Sequence, residues 1–505
     1  MNNIEALQQQ VSSSGLANTT MITPLERAKE NGAADCLRDS RRSVTNEQFA
    51  FEVAALAQKY ADLGVGVGDT VAVMMPNCVE IATAMFAAWW SGAALTPVNP
   101  ALTDDEVSYQ LSDSKAKVLV SDSRGQTLAA GLGIHSVAVE TLRAGHYENG
   151  APLRSAPLPT TSTSNALIIY TSGTTGRPKG CVLDVANIDA MVTSLVAHFD
   201  LGPSDRSLVV LPLFHCNGLL ISVLSVLLAG GDAVIAPRFD TEQTWELIEQ
   251  TRPTFFSAVP TMYAMLDERT TREVDASSLR FAVVGGAPMP KDLIGRFEQR
   301  FGFPLVEAYG LSECSVVATC NPVHGVRKPG TVGQSLPGQR VSIRSEDGTW
   351  AARGDRGEVL ISGPNVMQGY LGNEEATGKA LRDGWLHTGD VGYLDEDGYL
   401  VLVDRLKEMI IRGGENIYPK EIETVLYEHP AVLEAAVVGR PDEIYGEVPV
   451  GYIALRRGHA LDSDELRSYC LAKLAKYKTP RQFYFLDSLP KNAVGKLTKQ
   501  LLPSE

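Results

Sequence analysis

Apolar residues in the first part of the chain recur at two spacings, one typical of helices and the other of buried strands. Between residues 49 and 63 they recur at every third or fourth position, and Thr45-x-x-Gln48 before them has the form of a capping box, which predicts a helix. The unbroken apolar run at 71–75 predicts a strand buried on both faces. Alternation of these two patterns predicts a parallel sheet covered by helices on both faces.

The pattern changes near residue 330 and again near residue 405. Up to residue 330, further buried strands are predicted in the apolar runs that begin at Ala166, Leu208, Ala233, Phe255 and Phe281. Short strands between Gly and Asp turns follow, and the residues from 405 onward carry helix and strand patterns of their own. Because 505 residues are too many for one core, these changes are expected to separate domains.

We therefore predict an α/β protein with a large N-terminal domain of βαβ-rich subdomains plus a small β-rich subdomain, followed by a small α+β C-terminal domain. The predicted limits are 1–403 for the N-terminal domain and 404–505 for the C-terminal domain. Within the first, the subdomains are predicted at about 1–170, 171–330 and 331–403.

The net charge and the cysteines narrow the range of partners. A formal net charge of −15 disfavours nucleic acid and anionic membranes, so any phosphate site must be built from local cations and backbone N–H groups. The seven scattered cysteines form no Cys-x-x-Cys pair, which is typical of reduced thiols rather than of disulfides or a zinc site. With no signal-peptide pattern and no apolar run near the roughly 20 residues of a membrane span, the expected location is the cytoplasm.

Candidate chemistry first appears directly after the apolar run that begins at Ala166. Residues 171–180 read Thr-Ser-Gly-Thr-Thr-Gly-Arg-Pro-Lys-Gly, with three glycines, four hydroxyl side chains and two cations. Glycines let phosphate approach the backbone, hydroxyls donate to phosphate oxygens, and Lys179 supplies positive charge. The string is not a Walker A loop, because Gly180 rather than Ser or Thr follows the lysine. By composition alone, a polar surface turn is an equally good interpretation.

The complete string, with Tyr170 before it, resembles the phosphate-loop signature of the acyl-adenylate-forming superfamily, which includes acyl-CoA synthetases, peptide-synthetase adenylation domains and luciferases. Four later strings resemble the family's other motifs in the family's order: Tyr-Gly-Leu-Ser-Glu at 309–313, Gly-Trp-Leu-His-Thr-Gly-Asp at 384–390, the segment 403–419, and Pro-Lys-Asn-Ala-Val-Gly-Lys at 490–496. The resemblance covers essentially the whole chain. It implies an acid–thiol ligase that uses ATP, Mg²⁺ and, as co-substrate, coenzyme A.

The resemblance also implies which residues meet the nucleotide. The expected ATP- and AMP-binding residues are Thr171, Ser172, Gly173, Thr174, Thr175, Lys179, Gly286, Ala287, Pro288, Glu307, Ala308, Tyr309, Gly310, Leu311, Ser312, Asp390, Arg405 and Lys496. Asp390 is expected on the ribose hydroxyls, because a carboxylate has two acceptor oxygens for a diol. Glu313 and Thr175 are expected to hold Mg²⁺.

Three residues are expected to be catalytic: Lys496, Glu313 and His215. By the resemblance, Lys496 bridges the substrate carboxylate and the α-phosphate and so reduces the repulsion between two anions. Its acetylation would remove that charge, which is a hypothesis about regulation. The same comparison makes the C-terminal domain mobile, with Lys407 as its hinge, and places Gly413 and Gly414 along the pantetheine tunnel.

The acid itself is expected near the string Leu-Pro-Leu-Phe-His-Cys-Asn-Gly-Leu at 211–219. The expected acyl-binding residues are His215, as a gate, with Asn217, Gly285, Gly310 and Ser315. This lining is mostly small and uncharged, and it offers no clear carboxylate for an amino-acid ammonium group. A medium-sized apolar or aryl acid is therefore predicted.

Several alternatives remain open at this point. A stand-alone adenylation enzyme that loads a carrier protein would need the same residues, and a luciferase-type oxidase would share most of them. A non-catalytic homologue is disfavoured by the intact Lys179, Glu313, Asp390, Arg405 and Lys496. The sequence leaves open a carrier-protein partner, a homodimer and the identity of the acid.

Overall fold

The structure is a computed structural model that describes residues 20–143, 161–171, 177–287, 289–405, 408–413, 415–491 and 497–503. Within these residues the strands form four sheets, of seven, nine, five and five strands. Most of the predicted surface connection at 144–164 lies outside the described part.

The seven-stranded sheet carries the predicted phosphate loop. Its order is Gly369–Tyr370, Lys179–Asp184, Asn165–Thr171, Ala94–Pro97, Thr70–Met74, Ala116–Ser121 and His135–Ala138. The last five strands in this order are parallel, and the two at the other edge are antiparallel.

The nine-stranded sheet contributes residues to the same buried core as the seven-stranded sheet. Its order is Gln334–Ser335, Thr319–Cys320, Leu305–Tyr309, Phe281–Val284, Phe255–Ala258, Arg206–Val209, Asp232–Ile235, Asp35–Arg38 and Ser43–Thr45. Its central six strands are parallel. Two strands from the start of the chain therefore join strands that lie more than 150 residues later.

The two five-stranded sheets are smaller. One contains Arg340–Arg344, Gly357–Ser362, Leu381–Arg382, Trp385–Leu394 and Leu400–Arg405. The other contains Ile410–Arg412, Glu415–Ile417, Val432–Asp442, Gly446–Leu455 and Gln482–Phe485. The predicted α/β architecture, with a β-rich part before a small α+β part, is confirmed; the domain limits stay predictions.

The helix predicted from the apolar spacing after Thr45 forms as Asn46–Asp62. The α-helices are Thr23–Asn31, Asn46–Asp62, Val79–Trp90, Asp104–Asp113, Ser123–Leu132, Val139–Arg143, Val185–Phe199, Ser225–Leu228, Thr241–Thr251, Pro260–Arg269, Lys291–Phe301, Glu374–Ala380, Pro419–Tyr427 and Ser463–Leu471. Short 3₁₀ turns occupy Thr20–Ile22, Ser312–Cys314 and Lys499–Leu501, and Asn217–Leu224 is a π-helix. The predicted capping box is present: the Thr45 hydroxyl accepts from the Gln48 N–H, and the Gln48 side chain accepts from Thr45.

The helix Val79–Trp90 is buried on every side and ties the strand before the phosphate loop to the core. Its Trp89 indole donates to the Ala166 carbonyl, and its Trp90 indole donates to the Met21 carbonyl, both at 2.8 Å. These bonds satisfy two polar groups that would be costly to bury alone. Across the described residues, no helix combines the length and apolarity that crossing a membrane requires.

Candidate active site

The phosphate loop is the connection of a β-hairpin. Strands Asn165–Thr171 and Lys179–Asp184 pair antiparallel, with Thr171 opposite Lys179 and Tyr170 opposite Gly180. The predicted residues Ser172, Gly173, Thr174 and Thr175 fall in 172–176, outside the described part of the chain. The pairing fixes Thr171 and Lys179 at the two ends of the loop.

One helix, Asp104–Asp113, contacts both ends of this hairpin connection. The Tyr170 hydroxyl donates to Asp113 Oδ2 at 2.7 Å, before the loop. After the loop, the Tyr109 hydroxyl donates to the Pro178 carbonyl at 3.0 Å, and the Arg177 guanidinium lies 5.5 Å from the centre of the Tyr109 ring. The helix therefore holds the start and the end of the loop in a fixed relation.

We predict that Tyr109→Phe weakens ATP binding more than acid binding. The substitution keeps the ring beneath Arg177 and removes only the hydrogen bond to the Pro178 carbonyl. Such a bond contributes about 1 kcal/mol net, so the KM for ATP should rise by about fivefold. Pyrophosphate release under varied ATP and varied acid measures both constants. Tyr399→Phe is the matched control, since it loses a bond of the same type to the Val326 carbonyl. Equal increases for ATP and acid in Tyr109→Phe would contradict the prediction.

The predicted ribose site is assembled across three strands. Asp390 and Arg405 are backbone partners in neighbouring strands, and Arg405 Nε lies 3.0 Å from Asp390 Oδ1. The Tyr309 hydroxyl donates to Asp390 Oδ2 at 2.6 Å, and burial with this carboxylate raises the pKa of Tyr309. The Tyr309 hydroxyl therefore keeps its proton and stays a donor. The structure brings together Tyr309, Asp390 and Arg405, which are separated by up to 96 positions in the sequence.

The predicted metal-binding carboxylate is connected through Tyr370 to Lys179, at the end of the phosphate loop. Glu313 belongs to the short turn Ser312–Cys314, and its Oε1 accepts from the Tyr370 hydroxyl at 2.8 Å. Lys179 Nζ lies 5.2 Å from the centre of the same tyrosine ring. Tyr370 thus links the loop lysine to Glu313.

The carboxylate of Glu313 suits Mg²⁺ better than a metal ion that takes all of its ligands from protein side chains. In the described residues no three His, Cys, Asp or Glu side chains come together as ligands. Mg²⁺ is commonly held by one or two carboxylates together with phosphate oxygens and waters. Glu313, oriented by the hydrogen bond from Tyr370, would hold the ion, which would neutralise charge on ATP.

The predicted adenine side lies at the carboxyl ends of two parallel strands. Gly286 and Ala287 follow strand Phe281–Val284 and are exposed, whereas Pro288 is outside the described residues. Glu307 is buried, accepts from the Gly330 N–H at 3.0 Å, and has a pKa that burial raises to about 7. Carboxyl ends of parallel strands are the usual place for nucleotide sites in open α/β sheets.

Residues 308–311 run from strand Leu305–Tyr309 to the turn that carries Glu313. A side chain on Gly310 would lie 2.1 Å from the Val316 carbonyl oxygen, so only glycine allows the two backbone segments to approach this closely. Ala308 and Tyr309 are buried in the strand, and Leu311 precedes the turn that begins at Ser312.

The described residues that are predicted to bind the acyl group are uncharged near pH 7. His215 has a pKa lowered to about 4, and burial is the only cause. Asn217 begins the π-helix, and its Nδ2 lies 3.7 Å from the point where a side chain on Gly285 would start. The hydroxyl of Ser315 is buried and donates to the Asn365 carbonyl at 2.6 Å.

The predicted CoA residues are described only in part. Gly413 has φ +59°, a conformation that favours glycine, and its N–H donates to the Tyr445 carbonyl at 2.8 Å. Lys407, Gly414 and Lys496 lie outside the described residues. Their roles stay predictions.

Two groups of site residues were missed by the sequence reasoning. Tyr109 and Asp113 lie about 60 positions before the loop, and no pattern in their helix distinguishes them from solvated residues. Tyr370 follows the motif of Glu313 by 57 positions, and only the pairing of its strand with Lys179–Asp184 brings it to the site.

Comparison with known proteins identifies the class of this site. Residues 25–371 match the family described as AMP-binding enzyme, and residues 421–496 match the C-terminal domain of AMP-binding enzymes. The chain belongs to the AMP-binding enzyme family.

Relatives and solved structures are similar over nearly the whole chain. A feruloyl-CoA synthase from Amycolatopsis is 38% identical over 94% of this chain and 96% of its own. The o-succinylbenzoate CoA synthetase from Bacillus subtilis, solved with an acyl-adenylate intermediate, is 33% identical, with a TM-score of 0.87 over 96% of this chain and 98% of its own. The ATP-bound MatB from Rhodopseudomonas palustris is 30% identical, with a TM-score of 0.89 over 95% and 98% of the two chains.

These findings confirm that the chain is an AMP-forming acid–thiol ligase, as its motifs predict. They also confirm the prediction of ATP, Mg²⁺ and CoA, since the Bacillus subtilis enzyme has been solved with ATP and a magnesium ion.

Proposed function

We propose that this enzyme activates an aryl or medium-sized apolar monocarboxylic acid and transfers it to free CoA. The acid attacks the α-phosphorus of ATP to give acyl-AMP and pyrophosphate, and the CoA thiol then displaces AMP to give acyl-CoA. ATP is held by the hairpin loop with Lys179 and by the Asp390–Arg405 pair, while Lys496 offsets the charge of the two reacting anions.

The neutrality of the acyl side is the observation that carries the substrate class. Burial alone keeps His215 uncharged near pH 7, and the pKa of the Cys216 thiol is raised to about 12 by burial. The charged group that influences Cys216 is the carboxylate of Glu313. No cation among the described residues influences either group, so a second carboxylate on the substrate would be buried at a desolvation cost that an aryl ring would not suffer.

Free CoA is favoured over a carrier protein by the surface around Gly413. The Tyr445 ring is 45% exposed, and the Arg412 guanidinium lies 4.7 Å from its centre. Ile444 beside it is 83% exposed, and Arg481 pairs with Asp442 nearby. An exposed aromatic ring flanked by arginines suits the adenine and 3′-phosphate of CoA, both of which a carrier-bound phosphopantetheine lacks.

Tyr445→Ala is expected to raise the KM for CoA by about tenfold, because stacking of a base on an aromatic ring is worth on the order of 1–3 kcal/mol. The adenylation half-reaction should keep the wild-type rate. Acyl-CoA formation under varied CoA measures the first quantity and pyrophosphate release without CoA the second. Tyr477→Ala, in another exposed tyrosine of the same region, serves as the comparison. An unchanged KM in Tyr445→Ala would remove this argument for CoA.

We further propose that residues 1–403 and 404–505 are the two domains and that they rotate about Lys407 between the half-reactions. Contacts between them support a defined arrangement. The Lys420 ammonium donates to the Leu402 carbonyl at 3.1 Å, and Arg456 pairs with Glu268. Polar contacts of this kind can be exchanged by a domain movement.

The test of the proposed function is product analysis with ATP, a panel of acids and either free CoA or a phosphopantetheinylated carrier protein. We expect AMP, pyrophosphate and an acyl-CoA with aryl or medium-sized apolar acids. Thioester that forms only on the carrier would favour the alternative of a carrier-loading enzyme.

A further inference from the structure

The strand that carries Asp390 bulges at this residue. The strand, Trp385–Leu394, pairs antiparallel with Gly357–Ser362, and the register of this pairing shifts at Val359. Within the shift a single residue of one strand, Val359, faces three residues of the other: Thr388, Gly389 and Asp390. Extra residues in a bulge lose hydrogen bonds of the ladder and re-aim a side chain. Here the re-aimed side chain is the carboxylate that is proposed to bind ribose.

Two side chains take the place of the ladder bonds that the bulge removes. Glu358 Oε1 accepts from the Gly389 N–H at 3.1 Å. Thr388 Oγ1 accepts from the Asp390 N–H at 3.0 Å, and the same hydroxyl donates to the Val359 carbonyl at 2.7 Å. The backbone groups of the bulge are therefore satisfied by side chains rather than by the neighbouring strand.

The carboxylate of Glu358 is held at its other oxygen as well. His387 Nδ1 lies 2.8 Å from Glu358 Oε2, and the Glu358 side chain is only 19% exposed. Gly389 has φ +70°, a conformation that favours glycine, so the chain turns sharply just before Asp390. A carboxylate that is fixed at both oxygens in turn fixes the Gly389 N–H, and with it the backbone that leads into Asp390.

The partners of Asp390 leave acceptor positions for a ribose. Arg405 Nε lies 3.0 Å from Oδ1, and the Tyr309 hydroxyl donates to Oδ2 at 2.6 Å. Each carboxylate oxygen has two lone pairs, so each can accept one ribose hydroxyl in addition. A shift of the backbone at Asp390 would misalign both oxygens with the ribose hydroxyls at once.

We propose that Glu358 and Thr388 are positioning residues for ribose recognition, because they shape the bulge that presents Asp390 to the two ribose hydroxyls of ATP. This inference rests on the proposed function, in which Asp390 binds the ribose. The two residues act through Asp390 and not on the nucleotide. Their loss should therefore weaken ATP binding only as far as the ribose hydroxyls contribute to it.

The test compares ATP with 2′,3′-dideoxyATP by pyrophosphate release, since the second nucleotide lacks the hydroxyls that Asp390 would bind. For the wild type, the KM for dideoxyATP should exceed the KM for ATP by at least about tenfold. In Glu358→Ala the KM for ATP should rise while the KM for dideoxyATP stays within about twofold, so the ratio of the two should fall to about threefold or less. The KM for the acid should stay at its wild-type value.

Conservative variants distinguish positioning from a general loss of structure. Glu358→Gln keeps an acceptor for the Gly389 N–H, and Thr388→Ser keeps the hydroxyl, so both should hold the ratio within about twofold of the wild type. Thr388→Val keeps the shape but removes the hydroxyl, and its ratio should fall as in Glu358→Ala. Asp347→Ala is the matched control with an unchanged ratio, because Asp347 accepts from the Thr349 N–H at 2.9 Å in an exposed turn.

Far-ultraviolet circular dichroism and the melting temperature show which variants are folded. If Glu358→Ala is unfolded, the comparison of Thr388→Val with Thr388→Ser decides. If both members of that pair are folded and have the same ratio, the hydroxyl does not position Asp390 and the inference is wrong.

Two further outcomes overturn the inference and leave the proposed function intact. One is a wild-type ratio in folded Glu358→Ala and Thr388→Val, and the other is a KM for dideoxyATP that rises as much as the KM for ATP. The proposed ribose site fails in a different way. In Asp390→Ala the ratio should fall to about one, and a ratio that persists there would remove Asp390 from the ribose.

Discussion

In Lys496→Ala the rate of adenylation should fall by about 100-fold to 1000-fold. The variant should still convert supplied acyl-AMP and CoA into acyl-CoA. The loss is of the size seen when one charge-stabilising donor is removed from an active site. The first half-reaction brings a carboxylate against a triphosphate, and the lysine is the proposed cation between them. In the second half-reaction, the proposed domain rotation carries this lysine away. Pyrophosphate release measures the first step, and thioester formation from synthetic acyl-AMP measures the second.

Lys491→Ala is the matched control for this experiment. Lys491 lies five positions earlier, pairs with Glu434, and forms a backbone bridge with Leu497 on the other side of the terminal motif. Both half-reactions should remain close to wild type in this variant. Equal loss of both steps in Lys496→Ala would contradict the two-orientation account.

Glu313→Gln should lower the rate of acyl-AMP formation by about 100-fold and raise the Mg²⁺ concentration needed for half of the remaining rate. The substitution keeps the size of the side chain and its contact with Tyr370 but removes the negative charge that would hold the ion. Isothermal titration of MgATP in the absence of acid provides a measurement that does not depend on turnover, and its affinity should also fall.

Tyr370→Phe distinguishes the charge of Glu313 from its orientation. It leaves the carboxylate in place but removes the hydroxyl that donates to Oε1 at 2.8 Å. We expect a smaller rate loss, of about 5-fold to 10-fold, with the same direction of change in Mg²⁺ requirement. A Glu313→Gln variant with normal rate and normal Mg²⁺ dependence would exclude this carboxylate as the metal ligand.

Local sequence patterns were sufficient for most of the secondary structure. The capping box at Thr45 and Gln48 forms as predicted, and the apolar run at 71–75 forms the strand Thr70–Met74. These features depend on neighbours within a few residues, which is why the sequence alone predicts them. The motifs likewise predict the class of enzyme, because the order of five strings leaves little room for coincidence.

Local sequence patterns do not predict which distant segments of the chain contact each other. Strand Asp35–Arg38 joins the nine-stranded sheet beside Asp232–Ile235, and nothing in its pattern shows which sheet it enters. The apolar run around 219–229 predicts a buried helix, and the structure begins it as the π-helix Asn217–Leu224. Periodicity does not distinguish such a turn from an α-helix at this length.

The proposed chemistry is tested most directly by the fate of the carboxylate oxygen. With an aryl acid labelled with ¹⁸O in both carboxylate positions, together with unlabelled ATP and CoA, mass spectrometry of the products should find one ¹⁸O atom in AMP and none in pyrophosphate. Acyl-CoA should retain the other. AMP without label, or label in pyrophosphate or inorganic phosphate, would contradict an acyl-adenylate intermediate and with it the assignment of the site.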